Sequence, residues 1–543
     1  MPDPVYAGTM SAHEGINAKQ RPWMLSDNQV AMVLGLDISV MGAAKLLHGV
    51  VGFGKVDSYP WGFGKNYISA DHEDHLYIPN TSGIFRLTNS GALDGIYSSP
   101  SLASNMYQAV EGTYLANPTL FFVPTIPSAD ATSPFFVVSQ AEVGSAHMVA
   151  NPTCGAFFQN RLWLGGANST IRFSDLADPL TFTAGNSFQF ELGIGGDQIT
   201  GIVPVAANTP ALLLFKQRSI SVFQPYWGDS SSLIPIASDQ LDTIKSSIIV
   251  ISSTVGCVAP FSIQNTPGAP EGDIYFLAAD GVRAITRSKF DAIQGVSKPI
   301  SDPIKPIMDR LNWDEAYRCV SAYWDAKYYL AVPLDSSGDN SHILIFDTIN
   351  SAWSIVPWMP GYLLTANTFS PRPELWMSYN TVTIDSTVTG LASGYHMFKC
   401  FSGEYQAPNN LPPYWRLDTK GFYFGDLTIK KVWDRVAITL SNEADYTGVY
   451  SLCYNIDQTG WVTLATCVVG DIQSAIVVLG ETPLPWGRLT GFIKTFKYSL
   501  ADAPPGVEIQ LRMASTSDLS VPVIFSLMVG ARPLVNEFDN EIG

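Results

Sequence analysis

Short apolar runs closed by Gly, Asn, Asp or Ser recur along the chain, and they come in pairs. In "FFQNRLWLGGANSTIRFSDLADPLTF" (157–182), Asn160-Arg161 leads an apolar strand, Gly165-Gly166-Ala167-Asn168 turns the chain, and a second strand ends at Ser174-Asp175. An Asp178-Pro179 turn closes the phrase, and alternation places Leu162 and Leu164 on one face with Arg161 and Trp163 on the other. The same pattern returns in "HLYIPNTSGIFRL" (75–87), "ALLLFKQRSISVF" (211–223), "DIYFLAADGVRAIT" (273–286) and "HILIFDTINSAWSI" (342–355). Such runs are hairpin signals, because Gly, Asn and Asp accept the left-handed or self-bonded backbone of a tight turn. The long gap after residue 76 holds one more pair, "TLFFVP" and "PFFVVS".

Spacing of this order suits four-stranded units, so the pattern predicts a β-propeller of about six blades over 61–405. An array of β-sandwiches is the competing architecture. No WD dipeptide series or sialidase-type Asp-box is present; "FDTINSAWSI" and "IDQTGWVTL" only echo the latter. Residues 1–60 form an N-terminal segment in which "LSDNQVAMVLGL" (25–36) predicts a short helix capped by Ser26 or Asp27. A second helix is expected over "SDPIKPIMDRLN" (301–312), with a Ser cap and Ile304, Ile307 and Leu311 on one face. "APNNLPP" (407–413) reads as a linker. Beyond it, alternating strands at Val436–Leu440, Val449–Tyr454, Trp461–Ala465 and Ile476–Leu479 predict a β-sandwich over 411–543. The fold class expected is therefore all-β, a propeller followed by a sandwich.

Composition sharpens this picture. Charged residues make up 15% and aromatics 12% of the 543 residues, so the chain has apolar surface to bury in large β cores or against other subunits. The net charge of −17 and the lack of a Lys/Arg run argue against a nucleic-acid reader. The first twenty residues lack a basic region followed by an apolar core, so no signal peptide is expected. "SSIIVISSTVGCVAPF" (246–261) is too short and too broken by Ser and Thr to span a bilayer. The cysteines at 154, 257, 319, 400, 453 and 467 lie far apart with no Cys-x-x-Cys pair, which predicts free buried thiols.

Candidate chemistry is sparse. "GVVGFGKV" (49–56) nearly spells a phosphate-binding loop, but Val56 stands where the magnesium-binding hydroxyl belongs and no helix can follow; the twice-used "GFGK" suits a pair of turns. "DHEDHLY" (71–77) offers His72 and His75 beside Asp71, Glu73 and Asp74, yet at a strand entrance it reads as a solvated turn. "LDSSGDNSH" (334–342) is rich in oxygen donors but lacks a downstream bidentate Glu, and reads as a hairpin tip. No Gly-x-Ser-x-Gly elbow or histidine triad context occurs. No catalytic, cofactor-binding or metal-binding residue is nominated, no cofactor is expected, and the chain is not expected to be an enzyme.

In pattern and order, "LSDNQVAMVLGLDI", "FFQNRLWLGGANSTIRFSDLADPLTF", "QITGIVPVAANTPALLLFKQRSISVF", "GDIYFLAADGVRAITR" and "LIFDTINSAWSIV" resemble the tail nozzle family (tail tubular protein B) of short-tailed bacteriophages. The resemblance covers roughly residues 12–400. It implies a virion structural protein whose six copies form the distal ring of the DNA-ejection channel, assembled in the host cytoplasm. Its partners would be itself, the tail adaptor, tail fibre proteins and genomic DNA passing without specific binding. A carboxylate-rich lining suits such a conduit, since lumen-facing Lys or Arg would bind phosphate with favourable counterion release. A glycan-degrading or glycan-binding tail protein is the alternative.

Overall fold

Two-residue turns fold this chain into hairpins. Leu115-Ala116, Gln159-Asn160, Asp325-Ala326 and Asp457-Gln458 all sit at positive φ, the turn geometry whose twist matches that of the flanking strands. The computed structural model describes residues 6–534 except 11–13, 40–43, 48–49, 57–59, 61, 69–72, 81, 89, 91, 99–105, 126–132, 140–142, 150–151, 167–168, 185, 190–196, 206–209, 225–247, 267–273, 288–292, 368–371, 380–394, 402–413, 425–426, 443–448, 469–493 and 516–521. The expected linker at 407–413, the strand at Ile476–Leu479, and Asp71 and His72 therefore lie outside the described residues.

The fold is nearly all β, and its repeated unit is a four-stranded antiparallel meander of the kind that builds β-propellers. Such units occupy 64–98, 107–149, 152–189, 199–252, 264–296 and 320–356. In a further unit, strands Pro360–Ala366, Glu374–Tyr379 and Tyr395–Cys400 take their fourth strand, Val50–Val56, from the N-terminal segment. Among the described residues this makes seven blades, where the hairpin phrases predict about six. The additional one escapes the sequence pattern because its closing strand comes from the opposite end of the chain. All five quoted hairpins and the 117–139 pair form as expected.

Each blade is buried by its neighbours on both faces. Leu162 and Leu164 pack with Phe121 and Phe135 of the second blade, while Trp163 packs with Leu212 and Phe223 of the fourth. Further shared cores join the fourth blade to the fifth and the fifth to the sixth. Another joins the sixth and seventh to Leu76 and Ile78 of the first. The first and second then meet through Ile84, Tyr107 and Phe122.

The four strands of the sixth blade continue into a nine-stranded sheet through Met32–Leu34, which pairs parallel to Ala352–Val356 and antiparallel to Arg416–Phe422. Strands Ile509–Ser515, Val449–Ile456 and Val462–Val468 complete that sheet. A six-stranded sheet holds Lys431–Asn442, Lys494–Ser499 and Pro522–Pro533 with the N-terminal strands Tyr6–Met10, Leu36–Asp37 and Ala44–Leu46. Leu417, Leu452, Leu511 and Met513 of one sheet share a core with Trp433, Val436, Leu527 and Val529 of the other.

The helix expected at 25–36 does not form. A three-residue 3-10 turn at Pro22–Met24 precedes this stretch, which itself holds a turn at Asp27-Asn28 and the strand Met32–Leu34. Val33 and Leu36 are fully buried among residues supplied by distant strands, so tertiary burial overrides a local pattern that fits either structure. Gly35 seals the choice: at φ 68° its α-carbon lies against the Tyr414 carbonyl, where a β-carbon would fall 2.5 Å from the oxygen. At 301–312 only a 3-10 turn, Asp302–Ile304, and one helical turn, Lys305–Met308, are present, with Ile304, Ile307 and Leu311 buried together as expected. Ser301 does not cap them; its hydroxyl instead accepts the Val282 N–H of the fifth blade, 3.0 Å away.

Candidate functional site

The conspicuous residues of 157–182 are used up in holding their own blade. Leu162 N–H donates to Ser174 Oγ (2.9 Å), Arg161 Nη1 to the Ser174 carbonyl (2.6 Å), and Thr183 Oγ1 and Asn186 Nδ2 to the Asp175 carboxylate. The fifth blade repeats the device with Arg283, which reaches Asp280 and the Ser297 carbonyl.

The two motifs weighed for nucleotide and metal are also structural, though not in the way expected. "GVVGFGKV" and the second "GFGK" are not a pair of turns. Residues 50–56 are the closing strand of the seventh blade, and Gly64-Lys65 opens the first strand of the first blade. In "DHEDHLY" the described residues enter strand Glu73–Asn80, and Asp74 is only 7% exposed. Its Oδ2 accepts the Asn367 N–H (2.8 Å) and Lys65 Nζ (3.3 Å), while its own N–H donates to the Asn367 carbonyl. A seventh-blade loop thus covers a residue expected in a solvated turn. "LDSSGDNSH" is a loop tip, with Asp335 and Ser336 at positive φ. Among the described residues no group of three or more His, Cys, Asp and Glu is placed to hold a metal. Cys154, Cys257, Cys319 and Cys400 are free and buried, and burial pushes the Cys154 and Cys257 thiols up to about 12.

Among the described residues two surface clefts stand out. One, of about 420 Å³, lies where the 309–314 segment meets Asp335 and Ser336. Its wall is a fork between the Arg310 guanidinium and the Asp335 carboxylate, which holds that carboxyl below its usual range. Trp313 stands 39% exposed at its rim beside Asp309 and Asp314. The second, of about 340 Å³, is formed by Trp23, Leu427, the Asp457-Gln458 turn, Val507 and Glu508. The first cleft joins two phrases noted in the sequence, "SDPIKPIMDRLN" and "LDSSGDNSH", whose meeting the sequence does not reveal. At the second the sequence shows only ordinary strand alternation, "GVEIQLRMA", with Glu508, Gln510 and Arg512 at alternate positions.

The electrostatic character is local neutralisation of positive charge. Lys65 pairs with Asp74, Arg86 with Asp94, Lys327 with Asp37, and Arg318 with both Glu315 and Asp339. Arg416 and Arg512 converge on one buried carboxylate, Asp418. Arg512 also lies over Trp461, 3.8 Å from the ring centroid.

No protein-family model matches the chain, and no curated protein sequence does. Among solved structures it is similar to BBS1N in complex with ARL6DN (10% identity, TM-score 0.37), covering 66% of this chain and 98% of that one. It is also similar to the WD40 β-propeller domain of Doa1 (8% identity, TM-score 0.36), covering 66% and 97%. A third similar structure is the dihydro-heme d1 dehydrogenase NirN (11% identity, TM-score 0.33), covering 62% of each chain. The propeller assignment rests on this chain's own sheets and shared cores.

Proposed function

We propose that this protein is a structural component of a bacteriophage virion tail, a propeller subunit of the distal ring through which DNA leaves. In this reading the seven blades close into one propeller ring, and residues 411–543 form a sandwich completed by N-terminal strands. Six copies assemble through heterologous interfaces of the kind that close into rings. The observation that carries the proposal is the charge economy: a net charge of −17, with Lys65, Arg86, Lys327, Arg416 and Arg512 among the described cations that are paired with neighbouring carboxylates. A net negative surface does not hold a passing duplex through phosphate contacts, so DNA is conducted without being gripped. Ring formation also gives exposed apolar side chains such as Ile249, Val250 and Val462 a use.

Projection imaging of the purified protein, and of virions labelled with an antibody against it, tests the proposal. Six-fold rings at the tail tip are expected; a protein that stays monomeric and is missing from virions would overturn it. The exposed Trp313 flanked by Asp309 and Asp314 favours a second reading, glycan binding at the 309–336 cleft. A glycan array probed with the whole protein decides it.

A further inference from the structure

The outward face of the six-stranded sheet is basic, on a chain whose net charge is −17. Trp433, Val436, Val529 and Ala531 turn into the core, so strand alternation turns Val432, Gly530 and Arg532 the other way. Arg435 joins them, because it pairs with Gly530 across a register shift that begins at Trp433. Its stem runs along the sheet, with Cγ 3.4 Å from where a Gly530 β-carbon would stand. Ala437, two residues on, pairs with Lys497 and brings that exposed cation onto the same face. At the other end Leu534 N–H donates to the Lys430 carbonyl at 2.8 Å, which extends the ladder by one rung and adds both side chains. The face is therefore apolar at Val432 (39% exposed) and Leu534 (38% exposed), with Lys430, Arg435, Lys497 and Arg532 around them. Among the described residues its acid is Asp434, 3.9 Å from both arginines, and Lys430 and Lys497 have no carboxylate within ion-pair reach.

The sequence supplies a complement to this face directly after Leu534. Residues 535–543, "VNEFDNEIG", lie outside the described residues and carry three carboxylates, Glu537, Asp539 and Glu541, with no Lys or Arg. We propose that this segment folds back over the outward face of its own sheet, with Val535 on Val432 and its carboxylates on Arg532, Arg435 and Lys497.

Reach, alternation and tethering select this occupant. Nine extended residues span about 30 Å, and Arg435 lies about 15 Å along the strand from the level of Leu534. An extended segment presents residues 535, 537, 539 and 541 to one side, so one apolar group and then three carboxylates meet the face in the order in which the face needs them. Exposed ion pairs are individually weak, but a short tether holds the carboxylates at roughly millimolar effective concentration. A separate acidic molecule, or a second copy, competes only at its own concentration. The contact is internal to one copy and does not depend on ring assembly. Its consequence is that the covered face offers no free cations to phosphate, although the strands beneath it carry four.

The test is carbodiimide cross-linking of the full chain, mixed in equal amounts from unlabelled and heavy-isotope-labelled protein and read by mass spectrometry. Lys430 or Lys497 is expected to join Glu537, Asp539 or Glu541 within one copy, with a yield that falls as salt rises. A second arm measures binding of a short DNA duplex at low salt. Ending the chain at Leu534 should strengthen that binding at least about tenfold. The full-length triple variant Glu537→Gln, Asp539→Asn, Glu541→Gln should do the same, which guards against misfolding of the shortened chain. Adding Arg435→Ser and Lys497→Ser to the triple variant should abolish the gain. Links only between differently labelled copies would make a neighbouring copy's segment the occupant and overturn the proposal. So would the absence of links from both lysines to 535–543, or a duplex affinity unchanged by loss of the three carboxylates.

Discussion

The blades and the C-terminal pair of sheets are both antiparallel β structure with aromatic cores, yet they are assembled on opposite principles. Within the first six blades, partners are close in sequence: Trp163 faces Phe173, and Phe346 faces Trp353. In the two sheets, partners come from far apart: Tyr6 faces Ala531, Lys45 faces Val523, and Met32 faces Asp418. Local pairing costs little loop-closure entropy, whereas distant pairing must be supported by a large buried core before it forms. The same residue types thus give a region of repeats and a region whose sheets draw strands from both ends of the chain.

The sharpest way to break this comparison is to delete residues 1–46. Hydrogen exchange should then show loss of protection throughout Lys431–Asn442 and Ile509–Ser515, while Leu162–Leu164 stays protected. Retained protection in the C-terminal strands would mean that the N-terminal strands are ornaments on a self-sufficient domain. Next in size, Trp433→Ala and Trp163→Ala each remove a fully buried indole, and each should cost about 3–5 kcal/mol. Proteolysis under native conditions should separate them. The first should open both N-terminal and C-terminal strands, and the second chiefly the third and fourth blades.

A smaller effect comes from Glu508. Burial raises its carboxyl to about 7 in the folded chain against an ordinary 4.5, so the folded state holds the proton more tightly. That contribution to stability is complete below about 4.5, falls away between there and 7, and is absent above. With allowance for nearby solvent it amounts to about 1–3 kcal/mol. Urea midpoints across pH 4–8 should show this decline in the parent and lose it in Glu508→Gln. Smallest, Asp74→Ala removes the acceptor for the Asn367 N–H between the first and seventh blades, at a cost of about 1–2 kcal/mol. Enhanced exchange at Asn367 without change in the C-terminal sheets would sharpen the distinction between the regions.

Legibility in the sequence follows the same division. The hairpins were readable because turn residues and apolar runs lie side by side, as at Gln159-Asn160 and Asp325-Ala326. The seventh blade was not, since Val50–Val56 gives no local hint that it will pair with Tyr395–Cys400. Residues 25–36 misled for a related reason: the partners that bury Val33, such as Ile355 and Leu417, are out of local view. Asp74 looked solvated because nothing beside it reveals that Asn367 will cover it. The Glu508 cleft was not visible, because Glu508 alternates with apolar residues as Gln510 and Arg512 do. The glycine beneath it, Gly421, and the turn above it come from two other strands.

The pairing of Tyr6–Met10 with Pro522–Pro533 has a consequence in time. A ribosome adding about 5–20 residues per second takes roughly half a minute to two minutes to travel from one strand to the other. Throughout that interval the first strand is finished but has no mate, and its ladder groups are open to any neighbouring chain on the same polysome. Each nascent blade can fold as it emerges, so the growing molecule carries an increasingly complete propeller beside an unclosed end. Synthesis of Pro522–Pro533 withdraws that end from circulation, so pairing of these two strands is the step that turns a sticky intermediate into a closed molecule.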